Sequence, residues 1–383
     1  MRKNYLLTPG PTPLPPEVCQ ALGKPIIHHR TPQFQAILKE ATEGLKYIFQ
    51  TQGDVFILTS SGTGAMEAAV VNLLSAQDTA ITVQGGKFGE RWTELCAAYG
   101  IHTEVINVEW GKAVDPGEIE KRLKANPNIK AVFTTLCETS TGVVSDIEAI
   151  GEVVNKYKAV LVVDAISGLG AIDLKTDAWC VDVCVSGSQK GFMLPPGLAF
   201  ISVSKKAWEA IAVSKSPRYY FDLKAAKKAI QSVDTPFTPA ISLIIALVEV
   251  LKMMKQDSLE NIFNRHRVMA SATRAAMKAL GLELFAPAAA SDVVTAVKAP
   301  AGIDGEKIVK TMRDVYGVTI AGGQAELKGK VFRFAHMGFI EEFDILAGIV
   351  CLERVLKKLG YSFELGTGVR AAEEVFLNNT PRL

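Results

Sequence analysis

Short apolar segments that alternate with helical patterns constrain the fold of this chain more than any other feature of its sequence. Continuous apolar runs of this length are typical of strands that are buried on both faces, as in parallel sheets covered by helices. The alternation therefore predicts an α/β protein whose large domain holds a mostly parallel sheet. The seven predicted strands are Val55–Leu58, Ala80–Val83, Val105–Val108, Ala131–Thr134, Ala159–Val163, Val181–Val185 and Leu198–Val203.

The pattern changes near Thr235–Pro239, where a long predicted helix, Ala240–Lys255, leads out of the sheet. We therefore expect an N-terminal arm at residues 1–16, a large domain at 17–256 and a smaller C-terminal α/β domain at 257–383. The arm is predicted to be extended because it carries five prolines. The main elements predicted for the small domain are Asn264–Leu280, Val293–Lys298, Gly305–Tyr316, Lys330–His336 and Glu342–Leu359.

Composition excludes several classes of protein. The net charge of +2 gives no reason to expect a nucleic-acid or membrane partner. No apolar run approaches the roughly 18 residues of a membrane span, and the N-terminus lacks the apolar stretch of a signal peptide. The six cysteines form no CxxC pair and the five histidines form no HExxH motif. We expect a cytoplasmic protein with reduced thiols and no metal site.

Lys190 stands in a polar turn directly after a predicted strand, and a Gly/Pro-rich segment that ends at Gly197 follows it. This places the lysine at the mouth of the fold, although a solvated surface lysine is the ordinary alternative. A partly desolvated lysine beside a cationic ring has a lowered pKa, which favours the free amine and imine formation. We therefore take Lys190 as the residue that holds pyridoxal phosphate (PLP) as a Schiff base.

This cofactor also needs an anion beside its pyridine nitrogen and a cradle for its phosphate. Asp164 ends a buried parallel strand, where side chains point into the ligand crevice, so it is the candidate anion. Ser61, Gly62 and Thr63 lie between a strand and a helix, and free amides at a helix start bind phosphate. A loop cap at Asp164 and an ordinary helix cap at Ser61 are the structural alternatives.

Four further features fit the same site. Phe88 follows a strand and can stack on the pyridine ring, and the hydroxyls of 139–141 can reach its O3′ or the phosphate. Arg333 lies in an otherwise apolar strand, where it suits a substrate carboxylate or a structural salt bridge. Gly10 would let the backbone of the arm approach a ligand closely.

In combination these motifs resemble the class V aminotransferases of fold type I, in the group of alanine–glyoxylate and serine–pyruvate aminotransferases. The resemblance covers nearly the whole chain. The segments that carry it are Thr8–Pro11, Ser61–Glu67, Glu138–Gly142, Val163–Ala165, Ser186–Lys190 and Arg333.

The resemblance implies a role for each candidate residue. Lys190 matches the lysine that carries the cofactor, Asp164 the partner of the pyridinium, and Arg333 the ligand of the substrate carboxylate, with Gly10 nearby. The other matches are Ser61, Gly62, Thr63 and Gln189 to the phosphate, Thr139 to the ring hydroxyl, Ile166 beneath the ring, and Phe88 in place of a Trp or Tyr.

Thr235 and Thr238 fall in a segment that, in the family, crosses to the phosphate of the partner chain. The Thr/Pro pattern leaves open which of the two threonines matches. The resemblance implies a homodimer in which each site is built by two chains.

The implied reaction is a ping-pong transamination between a small amino acid, alanine or serine, and a 2-oxo acid, glyoxylate or pyruvate. Transamination of 2-aminoethylphosphonate with pyruvate, served by His29 and Arg30, and of ureidoglycine with glyoxylate remain alternatives. A cysteine desulfurase is disfavoured because no cysteine lies between Cys184 and Cys351. A cofactor-free binding protein or a nicotinamide dehydrogenase is a more distant alternative, and the dehydrogenase would need a GxGxxG motif after the first strand.

Overall fold

The computed structural model describes residues 3–379, so the first two residues of the predicted arm and the last four of the chain lie outside it. A seven-stranded sheet forms its centre. In chain order its strands are β2 (Asp54–Leu58), β3 (Thr79–Gln84), β4 (His102–Asn107), β5 (Ile129–Thr135), β8 (Val160–Asp164), β9 (Val183–Gly187) and β10 (Ala199–Val203). The shorter or peripheral strands are β1 (Tyr5–Leu6), β6 (Cys137–Glu138), β7 (Val143–Val144), β11 (Val294–Lys298), β12 (Val318–Thr319), β13 (Ala321–Gly322) and β14 (Val331–Ala335).

Helices connect these strands. In chain order they are α1 (Pro16–Leu22), α2 (Pro32–Phe49), α3 (Gly62–Leu73), α4 (Lys87–Ala98), α5 (Pro116–Ala125), α6 (Ile147–Val154), α7 (Lys205–Val213), α8 (Leu223–Ile230), α9 (Ile241–Asp257), α10 (Leu259–Ala279), α11 (Gly305–Thr311), α12 (Glu342–Lys358) and α13 (Thr367–Asn379). A π-helical turn, Met312–Tyr316, continues α11, and a short 3₁₀ helix spans Ala325–Leu327. Among residues 3–379, none of the helices has both the length and the apolar character that crossing a membrane requires.

The order of the central sheet is β2-β10-β9-β8-β5-β3-β4. Neighbouring strands run parallel except at β10, which is antiparallel to both β2 and β9. The prediction of a mostly parallel seven-stranded sheet is therefore confirmed, with all seven strands where the apolar runs placed them. One boundary moves: the helix after β2 begins at Gly62, so Gly62 and Thr63 belong to its first turn instead of preceding it.

Two apolar clusters cover the faces of this sheet. One packs α2 and α9 against it through side chains such as Phe34, Leu45 and Leu247. The other packs α3 and α4 through Met66, Val70 and Trp92. Because both faces are covered, the inner strands β5, β8, β9 and β10 are fully or almost fully buried, and polar side chains can reach a ligand at the carboxyl ends of the strands.

The C-terminal part contains a three-stranded sheet of order β11-β14-β13 and a separate apolar cluster that includes Phe332, Phe334 and Leu352. The N-terminal arm packs on this part instead of lying free at the surface. Its strand β1 pairs in parallel with β12, and the amide of Ala335 donates to the carbonyl of Leu7 at 3.0 Å. Two-residue strands such as β1 carry too little periodicity to be recognised in sequence. The limits of the three predicted domains stay predictions.

The register of the sheet brings the candidate residues towards one another. Asp164, the last residue of β8, lies opposite Thr135 of β5 and Val185 of β9. The loops that follow these two neighbouring strands carry Thr139 and Lys190 respectively. The carboxyl ends of three adjacent parallel strands therefore supply one edge of the candidate site.

Candidate active site

Lys190 is buried, with 9% of its surface exposed, in the loop between β9 and β10. Its ammonium donates a hydrogen bond to the carbonyl of Pro9. The Thr12 hydroxyl donates to the backbone carbonyl of Lys190 at 3.2 Å. Gly10 has a φ of +101°, and a Cβ at this position would lie 2.6 Å from Lys190 Nζ. Only glycine therefore allows the arm to cover the lysine so closely.

Burial lowers the pKa of Lys190 to about 8, whereas the charge of Asp164 acts in the opposite direction. A buried ammonium loses hydration that the protein replaces only in part, so the neutral amine becomes more accessible. This is the direction expected for a nucleophilic or proton-transferring lysine.

Asp164 is 3% exposed, and its Oδ1 accepts a hydrogen bond from the amide of Ile166 at 2.8 Å. Burial has the largest effect on the pKa of Asp164, which is raised to about 7. The hydrogen bond from the Ile166 amide and the charges of Arg91 and Lys190 act to lower this pKa, whereas Glu138 acts to raise it. A cationic group placed beside this carboxylate would favour its ionised form. Ile166 itself is buried beside Gly62, where a Cβ would approach Ile166 Cδ1 to 2.6 Å.

The start of α3 presents unused donors. The side chain of Ser61, the N-cap residue, makes no capping hydrogen bond. The amides of Gly62 and Thr63 donate to no acceptor within residues 3–379, whereas the amide of Gly64 turns back to the carbonyl of Ser61. Gln189 lies close by, and its Oε1 is buried without a hydrogen-bond partner in the part of the chain that the structure describes. The unused amides suit a multivalent anion, which could also accept from the Nε2 group of Gln189, whereas the orphaned Oε1 needs a donor.

Glu138 fixes the start of α4 and with it the backbone of Phe88. Its Oε2 accepts the amides of Phe88 at 3.0 Å and Gly89 at 2.9 Å. Its Oε1 accepts the amide and hydroxyl of Ser140. Burial raises the pKa of Glu138, against which these hydrogen bonds act. The sequence analysis named Glu138 only as part of the segment Glu138–Gly142 and did not predict its role. The signal for that role was a carboxylate shortly after a buried strand.

The hydroxyls that follow Glu138 are bound by the protein. Thr139 Oγ1 lies 2.9 Å from Ser167 Oγ, and Thr141 Oγ1 donates to the carbonyl of Glu138 at 3.3 Å. Thr139 nevertheless lies next to the site, because its carbonyl binds Arg333.

Arg333, in β14, is 5% exposed and is held by two backbone carbonyls. Nη1 donates to the carbonyl of Thr139 at 2.8 Å, while Nε and Nη2 donate to that of Gly322 at 3.0 and 2.8 Å. Burial lowers the pKa of Arg333 to about 10, and Glu138 acts to raise it. No carboxylate within residues 3–379 forms an ion pair with this guanidinium, and its two remaining N–H bonds are left for an acceptor.

Arg91, on α4, is a further site residue that sequence reasoning did not single out. Its Nη1 donates to Thr63 Oγ1 at 3.2 Å, and its guanidinium lies 5.1 Å from the centroid of the Phe88 ring. The only signal in the sequence was its spacing of one helical turn from Phe88.

Thr235 and Thr238 line a cavity together with Thr59, which lies two residues before Ser61. Thr235 Oγ1 donates to the carbonyl of Phe237 at 2.7 Å, and the Ala240 amide donates to Thr59 Oγ1 at 3.1 Å. Within residues 3–379, neither threonine forms a hydrogen bond with Ser61–Thr63.

The His28–Arg30 loop joins this segment through an ion pair between Arg30 and Asp234. The rings of His28 and His29 stack with their centroids 4.7 Å apart. Among residues 3–379, no group of three or more His, Cys, Asp or Glu side chains is arranged to hold a metal ion.

Residues 4–337 match the family model described as aminotransferase class-V. The chain belongs to the class-V aminotransferases. This enzyme is therefore a PLP-dependent aminotransferase by family, and its fold is that of the fold type I transferases, as the sequence predicted.

Three relatives align over almost their whole length with this class-V aminotransferase. The soluble hydrogenase 42 kDa subunit of Anabaena cylindrica is 48% identical over 98% of this chain and 99% of its own. The L-aspartate–glyoxylate aminotransferase of Paracoccus denitrificans is 38% identical (99% and 97%). The serine–glyoxylate aminotransferase of Methylorubrum extorquens is 36% identical (98% and 97%).

Among solved structures, the class-V aminotransferase is similar to the ureidoglycine–glyoxylate aminotransferase of Bacillus subtilis. The TM-score is 0.94 at 30% sequence identity, and the alignment covers 99% of each chain. The overall fold is therefore that of an aminotransferase.

We predict that Lys190 in the cofactor-free enzyme titrates near pH 8 instead of at the ordinary 10.5, because burial disfavours the ammonium. Asp164→Asn should lower the midpoint further, because the Asp164 charge is the largest of the interactions that raise the pKa of Lys190. Pulse acetylation at a series of pH values, followed by mass spectrometry of the Lys190 peptide, measures the titration midpoint in the unchanged enzyme and in the variant. An unfolded digest supplies the reference. A midpoint at the ordinary value, or a rise in Asp164→Asn, would contradict the prediction.

Proposed function

We propose that this enzyme binds PLP at Lys190 and transfers an amino group from a small amino acid to glyoxylate or pyruvate. The observation that carries the proposal is the burial of one amine and one carboxylate, Lys190 and Asp164, after neighbouring strands of the parallel sheet. Buried ionisable groups without a structural ion pair are costly and are typical of active sites.

The residues fit the shape and charge of this cofactor. The amides of Gly62 and Thr63, which have no acceptor within residues 3–379, would form a cradle for its phosphate, with the Ser61 hydroxyl and Gln189 Nε2 as further donors. Asp164 is the anion for its ring nitrogen, and Lys190 is the amine for its aldehyde. The side chains that would enclose its ring and ring hydroxyl are Phe88, Ile166 and Thr139.

When bound, PLP supplies an electron sink that labilises the bonds at Cα of the amino acid. The chain must then hold and move a proton. Burial lowers the pKa of Lys190 to about 8, which makes its neutral amine form accessible near neutral pH. It can therefore act as general base and, once protonated, as general acid. The ionised Asp164 would stabilise the positive charge of a protonated ring nitrogen.

Arg333 supports the assignment of substrate class. Its guanidinium is fixed in direction by the carbonyls of Thr139 and Gly322, which leaves two N–H donors for a carboxylate. Gly10 lies against Lys190 on the arm, so the arm borders the space between the amine and the substrate.

Glyoxylate is the acceptor named for both aminotransferase relatives above, which supports an oxo acid of this size. Serine is named as donor for one of them and L-aspartate for the other. We propose serine or alanine as donor. The similarity to the ureidoglycine–glyoxylate enzyme keeps ureidoglycine as the second candidate.

We predict that the purified enzyme is yellow and that borohydride reduction fixes the cofactor on Lys190. Reduction of the C=N bond to the lysine gives a stable secondary amine, which peptide mapping locates. Lys190→Ala should lose the absorbance band and fall in transamination rate by at least about a thousandfold. Lys206→Ala, a lysine of α7 paired with Asp182, is the matched control. Labelling at another lysine would refute the assignment.

A matrix of donors and acceptors tests the substrate. Alanine, serine, aspartate, ureidoglycine and 2-aminoethylphosphonate are each combined with glyoxylate and with pyruvate, and kcat/KM is measured. We expect the highest values for serine or alanine with glyoxylate. Arg333→Lys should lower kcat/KM for every carboxylate donor, because the bidentate geometry is lost, while leaving 2-aminoethylphosphonate less affected. A preference for that phosphonate in the unchanged enzyme would overturn the donor proposal.

We further propose that the enzyme is a homodimer with shared sites. Tyr219 and Tyr220 are 81% and 47% exposed, and the Tyr220 ring stacks on Phe237 with centroids 5.2 Å apart. This aromatic patch adjoins Thr235, Thr238 and the His28–Arg30 loop. Exposed aromatic patches of this kind are typical of protein interfaces.

A mixing experiment tests the sharing. Lys190→Ala and Thr238→Glu chains are each expected to be inactive, the second through repulsion of the phosphate. If the segment crosses, random mixed dimers hold one intact site, and activity returns to about a quarter of the unchanged level. Thr235→Glu is tested in the same way, and Ser232→Glu, exposed on the same segment, is the control. A monomer in sedimentation, or no recovery with either threonine variant, would contradict shared sites.

A further inference from the structure

Arg91 is a cation whose charge no acid in the described chain neutralises. It lies part-buried on α4, and no carboxylate within residues 3–379 forms an ion pair with it. Its polar contact is the hydrogen bond from Nη1 to Thr63 Oγ1 at 3.2 Å, and its guanidinium packs 5.1 Å from the centroid of Phe88. An arginine held in this way, away from an acid, is available to an anionic ligand.

The direction of the Thr63 hydrogen bond follows from the chemistry of its partner. A guanidinium can only donate, so Thr63 Oγ1 must accept from Arg91. The hydroxyl proton of Thr63 is then left to point elsewhere, as is its backbone amide, which has no acceptor within residues 3–379. Both donors of Thr63 therefore belong to the start of α3, where the free amide of Gly62 also lies.

The charge of Arg91 also reaches the centre of the site. Burial is the largest cause of the raised pKa of Asp164 and of the lowered pKa of Lys190, and Arg91 acts to lower both values. The guanidinium is therefore close enough to act electrostatically on groups on both sides of the candidate cofactor position.

We infer that Arg91 is a positioning residue for the cofactor phosphate, which holds the Thr63 hydroxyl as a donor and adds positive charge to the α3 cradle. This inference rests on the proposed PLP function. It gives the cradle the cationic side chain that Ser61, Gly62 and Gln189 do not supply. The contact with the Phe88 ring helps to keep the guanidinium in place.

A purely structural role for Arg91 makes a different prediction. If the guanidinium only supports Phe88, its loss weakens binding of the whole cofactor ring, whether or not a phosphate is attached. If it serves the phosphate, its loss affects only ligands that carry one. Comparing PLP with pyridoxal, which has a hydroxyl in place of the phosphate, separates the two roles because both bind Lys190 through the same aldehyde.

The experiment measures dissociation constants for PLP and pyridoxal by absorbance, for the unchanged enzyme, Arg91→Met, Thr63→Val and the double variant. Arg122→Met, which removes a surface guanidinium paired with Glu104, is the matched control. We expect Arg91→Met to lower the preference for PLP over pyridoxal by at least about tenfold, with pyridoxal affinity changed by less than about twofold. The control should leave the preference unchanged.

The double variant tests the link through Thr63. Because Arg91 acts in part by orienting that hydroxyl, Arg91→Met should cost less in the Thr63→Val background than in the unchanged enzyme. Arg91→Lys, which keeps the charge but not the fork, should recover part of the preference and replaces Arg91→Met if that variant does not melt cooperatively. Equal weakening of both ligands, an unchanged preference, or additive effects would overturn the inference. If the unchanged enzyme binds neither PLP nor pyridoxal, the proposed function is overturned instead.

Discussion

Burial of ionisable groups at the carboxyl edge of the parallel sheet is the constraint on which the rest of this structure depends. Lys190, Asp164, Glu138 and Arg333 are each less than a tenth exposed. Removing such groups from water costs free energy that only a large apolar core and well-placed hydrogen bonds can offset. The two apolar clusters that cover the sheet form this core, and backbone carbonyls and amides provide most of the hydrogen bonds.

Within residues 3–379, none of these four buried groups forms a simple ion pair. Glu138 is satisfied by amides and a hydroxyl, and Arg333 by carbonyls. Their charges therefore act on neighbouring ionisable groups. Glu138 acts to raise the pKa of Asp164, and Arg333 acts to lower the pKa of Lys190. On the proposed function, a cationic cofactor ring would meet Asp164, its anionic phosphate Arg91, and the substrate carboxylate Arg333.

Much of this arrangement follows from sequence because it depends on local patterns. Apolar runs identify the strands, and the rule that side chains at strand ends face the crevice singles out Asp164 and Lys190. Arg91 was not recognisable, since an arginine on an amphipathic helix normally faces solvent and only its contact with Thr63 distinguishes it. Glu138 was likewise hidden, because its partners, the amides of Phe88 and Gly89, lie on another element.

The N-terminal arm connects distant parts of the chain at one point. Its strand pairs with β12, Leu7 accepts from Ala335, and Pro9 to Thr12 contact Lys190. Tyr5 and Leu7 precede their partners Val318 and Ala335 by more than 300 residues in the sequence. Closing so long a loop costs conformational entropy and slows folding. Until the arm has docked, Lys190 lacks its hydrogen bonds to Pro9 and Thr12, so the cover over this amine depends on contacts between distant parts of the chain.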